Sequence, residues 1–144
     1  MRNRVAVMHG VNLDALDRRP AAHYGGLSLP RLETRIELFA KDLSLEARFF
    51  QTNHEGEYVE ELHKAADYAD ALLLNPGAWT HYAWSLRDAV EIAGLPAVEV
   101  HLSDVRNREP FRAVSVLEEV CVASVSGQGV DGYRAALERL KEAL

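Results

Sequence analysis

The chain has 144 residues, 48% apolar and 26% charged, with a net charge of −6 when histidine is neutral. That length suits one domain able to bury roughly two-thirds of its unfolded surface, and the composition is that of an ordinary soluble globular protein. The acidic balance, without a basic stripe interleaved with aromatics, excludes a nucleic-acid footprint, and no apolar run is long enough to span a bilayer.

The single cysteine, Cys121, lies in the apolar run Val120-Cys121-Val122-Ala123. It reads as a buried thiol with no disulfide partner, which suits a reducing cytoplasm. Met1-Arg2-Asn3-Arg4-Val5 leads directly into an apolar segment, so no signal peptide is expected.

Val5-Ala6-Val7-Met8, stopped by His9-Gly10, predicts a buried strand. From Val11 to Leu27 the chain is polar, with Pro20, Gly25 and Gly26 and no helical stripe, so a loop is expected at about 12–27. A loop of that length in a compact domain is uncommon and usually functional. Ser28 suits an N-cap and Pro30 a first helical turn, ahead of Leu29, Leu32, Ile36, Phe39 and Leu43 at helical spacing. Ala47–Gln51 predicts a second strand, and a helix carrying Val59, Leu62, Ala65 and Ala66 on one face follows Thr52-Asn53-His54-Glu55-Gly56. Ala71–Leu74 predicts a third strand, broken by Asn75-Pro76-Gly77-Ala78. Thr80 is expected to cap the next helix, with the stripe Tyr82, Leu86, Ala89, Val90 and Ala93 closed by Gly94. Ala97–Ser103 and Val120–Val125 predict the last two strands, and Tyr133, Ala136, Leu137, Leu140 and Leu144 line a final helix.

Alternating strands and helices with short connections predict an α/β, flavodoxin-like fold: a five-stranded parallel sheet with helices on both faces, forming one domain over residues 1–144. Such sheets bind ligands beyond the carboxyl ends of their strands. Here those ends carry Asn12, Asn75 and His101.

Strand side chains alternate, so Val98 and Val100 share one face of the fourth strand, and Glu99 and His101 the other. A carboxylate so placed holds the imidazole in one tautomer and favours its cation. Past the strand end, backbone N–H groups with Arg106, Arg108 and Arg112 suit an anion. The competing reading is a half-buried strand whose solvent face happens to carry Glu and His. Arg19 and Tyr24 admit two readings as well: a phenol base stabilised by a neighbouring cation, or a solvated arginine beside a loop anchor.

His81 suits a ligand hydroxyl or a cap on its own turn; Arg112 suits a carboxylate, a hydroxyl or an exposed Glu; Asp88 is a surface charge or reaches a neighbouring subunit. Gly127-x-Gly129-x-x-Gly132 fits a dinucleotide fingerprint on paper, but only one helix follows it, so it reads as a tight turn. Lys41, Lys64 and Lys141 lie in charged segments away from strand ends, which disfavours an imine. No Gly-x-Ser-x-Gly elbow occurs, and Cys121 is expected inside a strand, so acyl transfer is disfavoured.

Six segments in order carry a family resemblance: Gly10-x-Asn12-Leu13 with Arg19 and Tyr24-Gly25; Gln51-x-Asn53-His54-Glu55-Gly56-Glu57; Asn75-Pro76-Gly77-Ala78-x-Thr80-His81; Leu86-Arg87-Asp88-Ala89; Glu99-Val100-His101-x-Ser103 with Arg108-Glu109-x-Phe111-Arg112; and Gly127-x-Gly129-x-x-Gly132-Tyr133. Over almost its whole length the chain resembles type II 3-dehydroquinate dehydratase.

The resemblance implies a metal-free and cofactor-free anti elimination of water from 3-dehydroquinate, giving 3-dehydroshikimate. It implies that Tyr24 is the base and that Arg19 stabilises its phenolate. It gives Asn12 the enolate oxygen, and His101, oriented by Glu99, the protonation of the departing hydroxyl. Asn75, His81 and Arg112 would hold ring hydroxyls, with Leu102 and Ser103 on the carboxylate. It further implies a dodecamer built from trimers, with Asp88 contributing across an interface, and a place in the shikimate or quinate routes.

The chain departs from the family's usual residues at Val11, Asp17, Pro20-Ala21, Ala83, Asp104 and Ala113-Val114. Asp104 beside the carboxylate corner is expected to repel an anion. Val11, Asp14 and Asp17 lie in the segment expected to act as a lid, and the changes there, with Asp104, motivate an alternative, a diverged relative acting on another cyclic polyol acid. A flavodoxin-like binding or signalling module is the third possibility, for which only Asp14 and Asp17 offer carboxylates after the first strand.

Overall fold

The computed structural model describes residues 1–144. Five strands, β1 (Arg4–His9), β2 (Glu46–Gln51), β3 (Ala71–Asn75), β4 (Ala97–His101) and β5 (Ala123–Ser126), form one parallel sheet in the order β2-β1-β3-β4-β5. Two helices, α2 (Leu29–Asp42) and α5 (Asp131–Ala143), cover one face; α3 (Glu55–Lys64) and α4 (Trp84–Ala93) cover the other. The expected flavodoxin-like architecture is the one observed.

Both sheet faces are dry, which is why the central strands read as continuous apolar runs. Val5, Val7, Val98 and Val100 meet Ile36 of α2 and Leu137 of α5. Ala6, Met8, Leu72 and Leu74 meet Leu62 of α3 and Leu86 of α4. The half-exposed reading of β4 fails, because every residue from Ala97 to His101 is buried.

The strand order reverses direction between β1 and β3, so the loops leaving these two strands part and open a crevice at their carboxyl ends. Their backbones touch at its floor. A Cβ on Gly10 would lie 2.3 Å from the Pro76 carbonyl oxygen, and one on Gly77, at φ 65°, only 2.7 Å from that of Val11.

Several local expectations are corrected. Residues 12–27 are not irregular: a 3-10 stretch, Leu13–Arg18, is followed by the short helix α1 (Ala21–Tyr24). Leu13 and Leu16 are buried there, but two apolar residues are too few to make a visible stripe. In α3 the buried residues are Tyr58 and Leu62, while Ala66 lies beyond the helix and exposed. The Tyr58 hydroxyl donates to the Met8 carbonyl at 3.0 Å, which lets a phenol enter the core.

Thr80 does not cap α4. It is buried in a 3-10 turn, Gly77–His81, and α4 starts at Trp84 without a side-chain cap. Tyr82 is 60% exposed and lies outside the buried stripe. Val120 closes another 3-10 turn, Glu118–Val120, and β5 begins only at Ala123. Cys121 therefore precedes the strand, half-buried, its thiol pushed up to about 12 by burial and then by the charges of Glu99 and Glu118. No helix is long and apolar enough to cross a membrane.

Candidate active site

The crevice at the β1–β3 parting is a cavity of about 360 Å³. Its wall brings together Asn12, Arg19 and Tyr24 from the 12–27 segment, Asn75 and His81 from the loop after β3, and His101, Leu102, Ser103 and Arg112 from β4 and beyond. Glu99 stands behind His101, in contact with it but off the cavity wall. Asp88 is exposed on α4 and does not line the cavity.

Glu99 is 1% exposed and receives three hydrogen bonds. His101 Nε2 donates to Oε2 at 2.6 Å, Thr80 Oγ1 donates to the same oxygen, and Ser115 Oγ donates to Oε1 at 2.7 Å. Burial pushes the carboxyl up. The bond and charge of His101, with the Thr80 and Ser115 donors, outweigh it and hold the group below the ordinary carboxylate range. An ionised carboxylate can only accept, so His101 carries hydrogen on Nε2 and turns Nδ1 away from Glu99.

Ser115 is itself fixed. Its oxygen accepts the N–H groups of Leu117 and Glu118 at 3.2 and 3.1 Å, so its single proton points at Glu99. This support was not legible from the spacing of Glu99 and His101, since Thr80 and Ser115 come from two separate loops.

His81 ends its turn with Nδ1 2.7 Å from the Val114 carbonyl oxygen. A carbonyl requires a donor, so hydrogen sits on Nδ1 and Nε2 is left as an acceptor. Burial pushes this imidazole below its ordinary value, which keeps Nε2 unprotonated at neutral pH. Beside it, Val116 N–H donates to the Thr80 carbonyl at 2.8 Å, so one strap, Val114–Val116, steadies both histidines.

The phenol oxygen of Tyr24 accepts from Arg19 Nη2 at 2.6 Å and from Arg108 Nη1 at 2.7 Å. The Arg19 guanidinium also stacks on the ring, 4.3 Å from its centroid. Two cations on one oxygen stabilise a phenolate. The sequence pairs Arg19 with Tyr24, but it does not pair Arg108, which lies 84 residues away; only the β4 exit loop folding over the 12–27 segment brings it there. Arg108 Nη1 also donates to Ser103 Oγ at 3.3 Å, while its Nε is buried without a partner in this chain.

Asn75 has one amide hydrogen on Tyr133 Oη at 2.9 Å and its oxygen on Gly77 N–H at 3.2 Å, so a second hydrogen and a second lone pair remain for a ligand. Arg112 Nε is paired with Glu109, and its guanidinium lies over Phe111. Asp104 is exposed, bonded to Asn107 and absent from the cavity wall, although its chain neighbours Ser103 and Val105 both line it. No group of three His, Cys, Asp or Glu side chains forms a set that would hold a metal ion. Two cations on a phenol, a histidine backed by a buried carboxylate and a neutral histidine acceptor on one cavity suit proton abstraction and return on a polyhydroxylated anion.

Comparison with known proteins bears directly on this arrangement. A profile of the family Dehydroquinase class II matches residues 3–141. The chain is 45% identical over 141 residues to a 3-dehydroquinate dehydratase of Thermotoga petrophila, covering 98% of this chain and 96% of that one. It is 44% identical over 134 residues to one of Bacillus pumilus, covering 93% and 91%. Among solved structures, a type II dehydroquinase from Butyrivibrio crossotus superposes with a TM-score of 0.91 at 35% identity, over 96% of this chain and 97% of that one.

Proposed function

The chain belongs to the class II dehydroquinase family, and from that premise we propose that it removes water from 3-dehydroquinate by anti elimination, with Tyr24 as base and His101 as acid. The observation that carries this reading is the phenol oxygen of Tyr24 held between Arg19 and Arg108 on the same cavity as a histidine backed by Glu99.

Tyr24 phenolate takes a proton from the carbon next to the ketone, and the electron pair moves onto the ketone oxygen as an enolate, stabilised by Asn12. The enolate collapses and expels the β-hydroxyl, to which His101 gives the proton on Nδ1; the products are water and the conjugated enone acid 3-dehydroshikimate. The phenol and imidazole then exchange protons with solvent to restore the starting state. His81 Nε2 accepts from a ring hydroxyl, and Asn75 and Arg112 bind the remaining ones. The substrate carboxylate lies on the N–H groups of Leu102 and Ser103 and on the Ser103 hydroxyl, whose oxygen already accepts from Arg108.

The whole chain acts as one catalytic unit in this reading, with residues 12–27 as its lid. The same proposal takes in a cytoplasmic setting and a dodecamer of trimers. Asp88 would then serve a neighbouring copy, whose Arg108 Nε has no partner in its own chain.

The test is ultraviolet absorbance of the protein with 3-dehydroquinate, following the conjugated enone. The native chain should turn over, and Tyr24→Phe should lower kcat by about 10²–10⁴-fold, the range for loss of a general base. A correctly assembled native sample without product would overturn the proposal.

A further inference from the structure

Behind the cavity, at the carboxyl end of β2, Asn53 ties down the start of the 12–27 segment. Its Oδ1 accepts the backbone N–H of Asn12 at 2.8 Å, and its Nδ2 donates to Asp14 Oδ2 at 3.0 Å. Gln51 Nε2 fixes the sense of that amide, donating to Asn53 Oδ1 at 3.3 Å and to the Gly10 carbonyl at 3.2 Å. With two donors on its oxygen and a carboxylate on its nitrogen, the Asn53 amide has one orientation that satisfies every partner.

The residue so held has an uncommon backbone conformation. Asn12 adopts φ 68° and ψ 3°, in the left-handed region, and its side chain lines the cavity. Asparagine enters that region more readily than most non-glycine residues, so the turn can be set there by hydrogen bonds at little strain. From the opposite side, the Val11 carbonyl is pressed against Gly77. Asn12 is thus clamped between the β3 exit and the β2 exit.

We propose that Asn53 is a positioning residue: by bridging Asn12 N–H and the Asp14 carboxylate, it holds the left-handed turn that aims the Asn12 side chain at the developing enolate. This rests on the dehydratase reading above. Asn53 touches no substrate and acts through Asn12. Asp14, which the sequence marks only as a lid carboxylate, becomes the outer half of the clamp.

Asn53 is exposed, so its truncation leaves the core intact. Losing a bond worth about 1 kcal/mol predicts a kcat lowered by about fivefold to tenfold in Asn53→Ala, with KM changed by less than about twofold. Asn53→Asp keeps the acceptor for Asn12 N–H but sets two carboxylates against each other, so it should lose activity too. The double variant Asn53→Asp/Asp14→Asn should recover, since it exchanges donor and acceptor. Asn53→Ala should add little in an Asn12→Ala background if the two residues act as one unit.

Hydrogen exchange of the 10–16 backbone, followed by mass spectrometry, reads the clamp without turnover. Exchange there should quicken in both single Asn53 variants and return in the double variant. Unchanged exchange, no recovery in the double variant, or full additivity with Asn12→Ala would overturn the proposal. Absence of turnover in the native chain would instead overturn the dehydratase reading, with the exchange experiment still deciding whether the clamp exists.

Discussion

Ser115 has one proton and two lone pairs, and all are committed: the proton to Glu99, the lone pairs to two N–H groups. Ser115→Ala removes a donor from a buried carboxylate and an acceptor from two amides, which should cost about 1–3 kcal/mol in urea unfolding at neutral pH. Its pH dependence follows from Glu99, whose folded-state value lies below the ordinary one. Such a group stabilises the fold above its unfolded value and loses that contribution as pH falls through the folded one. Removing a donor raises the folded value, so the variant should lose stability at a higher pH on acidification than the native chain; identical acid profiles would argue against this role. His81 shifts the same way, with the charge reversed: burial lowers its value, so KM should rise only below pH 6.5, where Nε2 gains a proton and stops accepting. At this scale the sequence conveyed the Glu99–His101 pair, because strand alternation is local. It did not convey Arg108 on Tyr24 or Thr80 and Ser115 on Glu99, because each of those meetings depends on loops distant in sequence.

At the scale of the elements, the contrast between two glycines is a test of how the crevice is closed. A Cβ on Gly10 meets the Pro76 backbone at 2.3 Å, and neither partner can move without displacing a central strand. Gly10→Ala should therefore cost upwards of about 3 kcal/mol in denaturant unfolding. Gly56, inside α3, has nothing within 4 Å of such an atom, so Gly56→Ala should stabilise by about 0.5–1 kcal/mol. The five strands, their parallel order and four of the helices followed from apolar runs and period. The misplaced boundaries, at Thr80, at Val120 and inside 12–27, fall on 3-10 turns or, at Ala21–Tyr24, on a single helical turn. Such turns are too short to repeat a pattern, and their side chains are recruited by other loops.

Across the whole molecule, apolar surface is unevenly exposed. Tyr82, Trp84, Phe111 and Val114 are each more than half exposed. Three of them gather at His81: Tyr82 follows it, the Phe111 ring packs edge-on at 5.6 Å, and the Val114 carbonyl takes its Nδ1 proton. A cluster of this kind beside a site marks a contact surface, in line with the proposed assembly. Trp84→Glu should lower the mass seen by sedimentation equilibrium, and an unchanged mass would place the subunit contacts elsewhere. The tyrosines carry a different consequence. The chain has five. Burial pushes Tyr58 and Tyr133 far up, and burial with the nearby Glu61 does the same to Tyr68. In an alkaline absorbance titration those three should ionise above the range of an ordinary phenol.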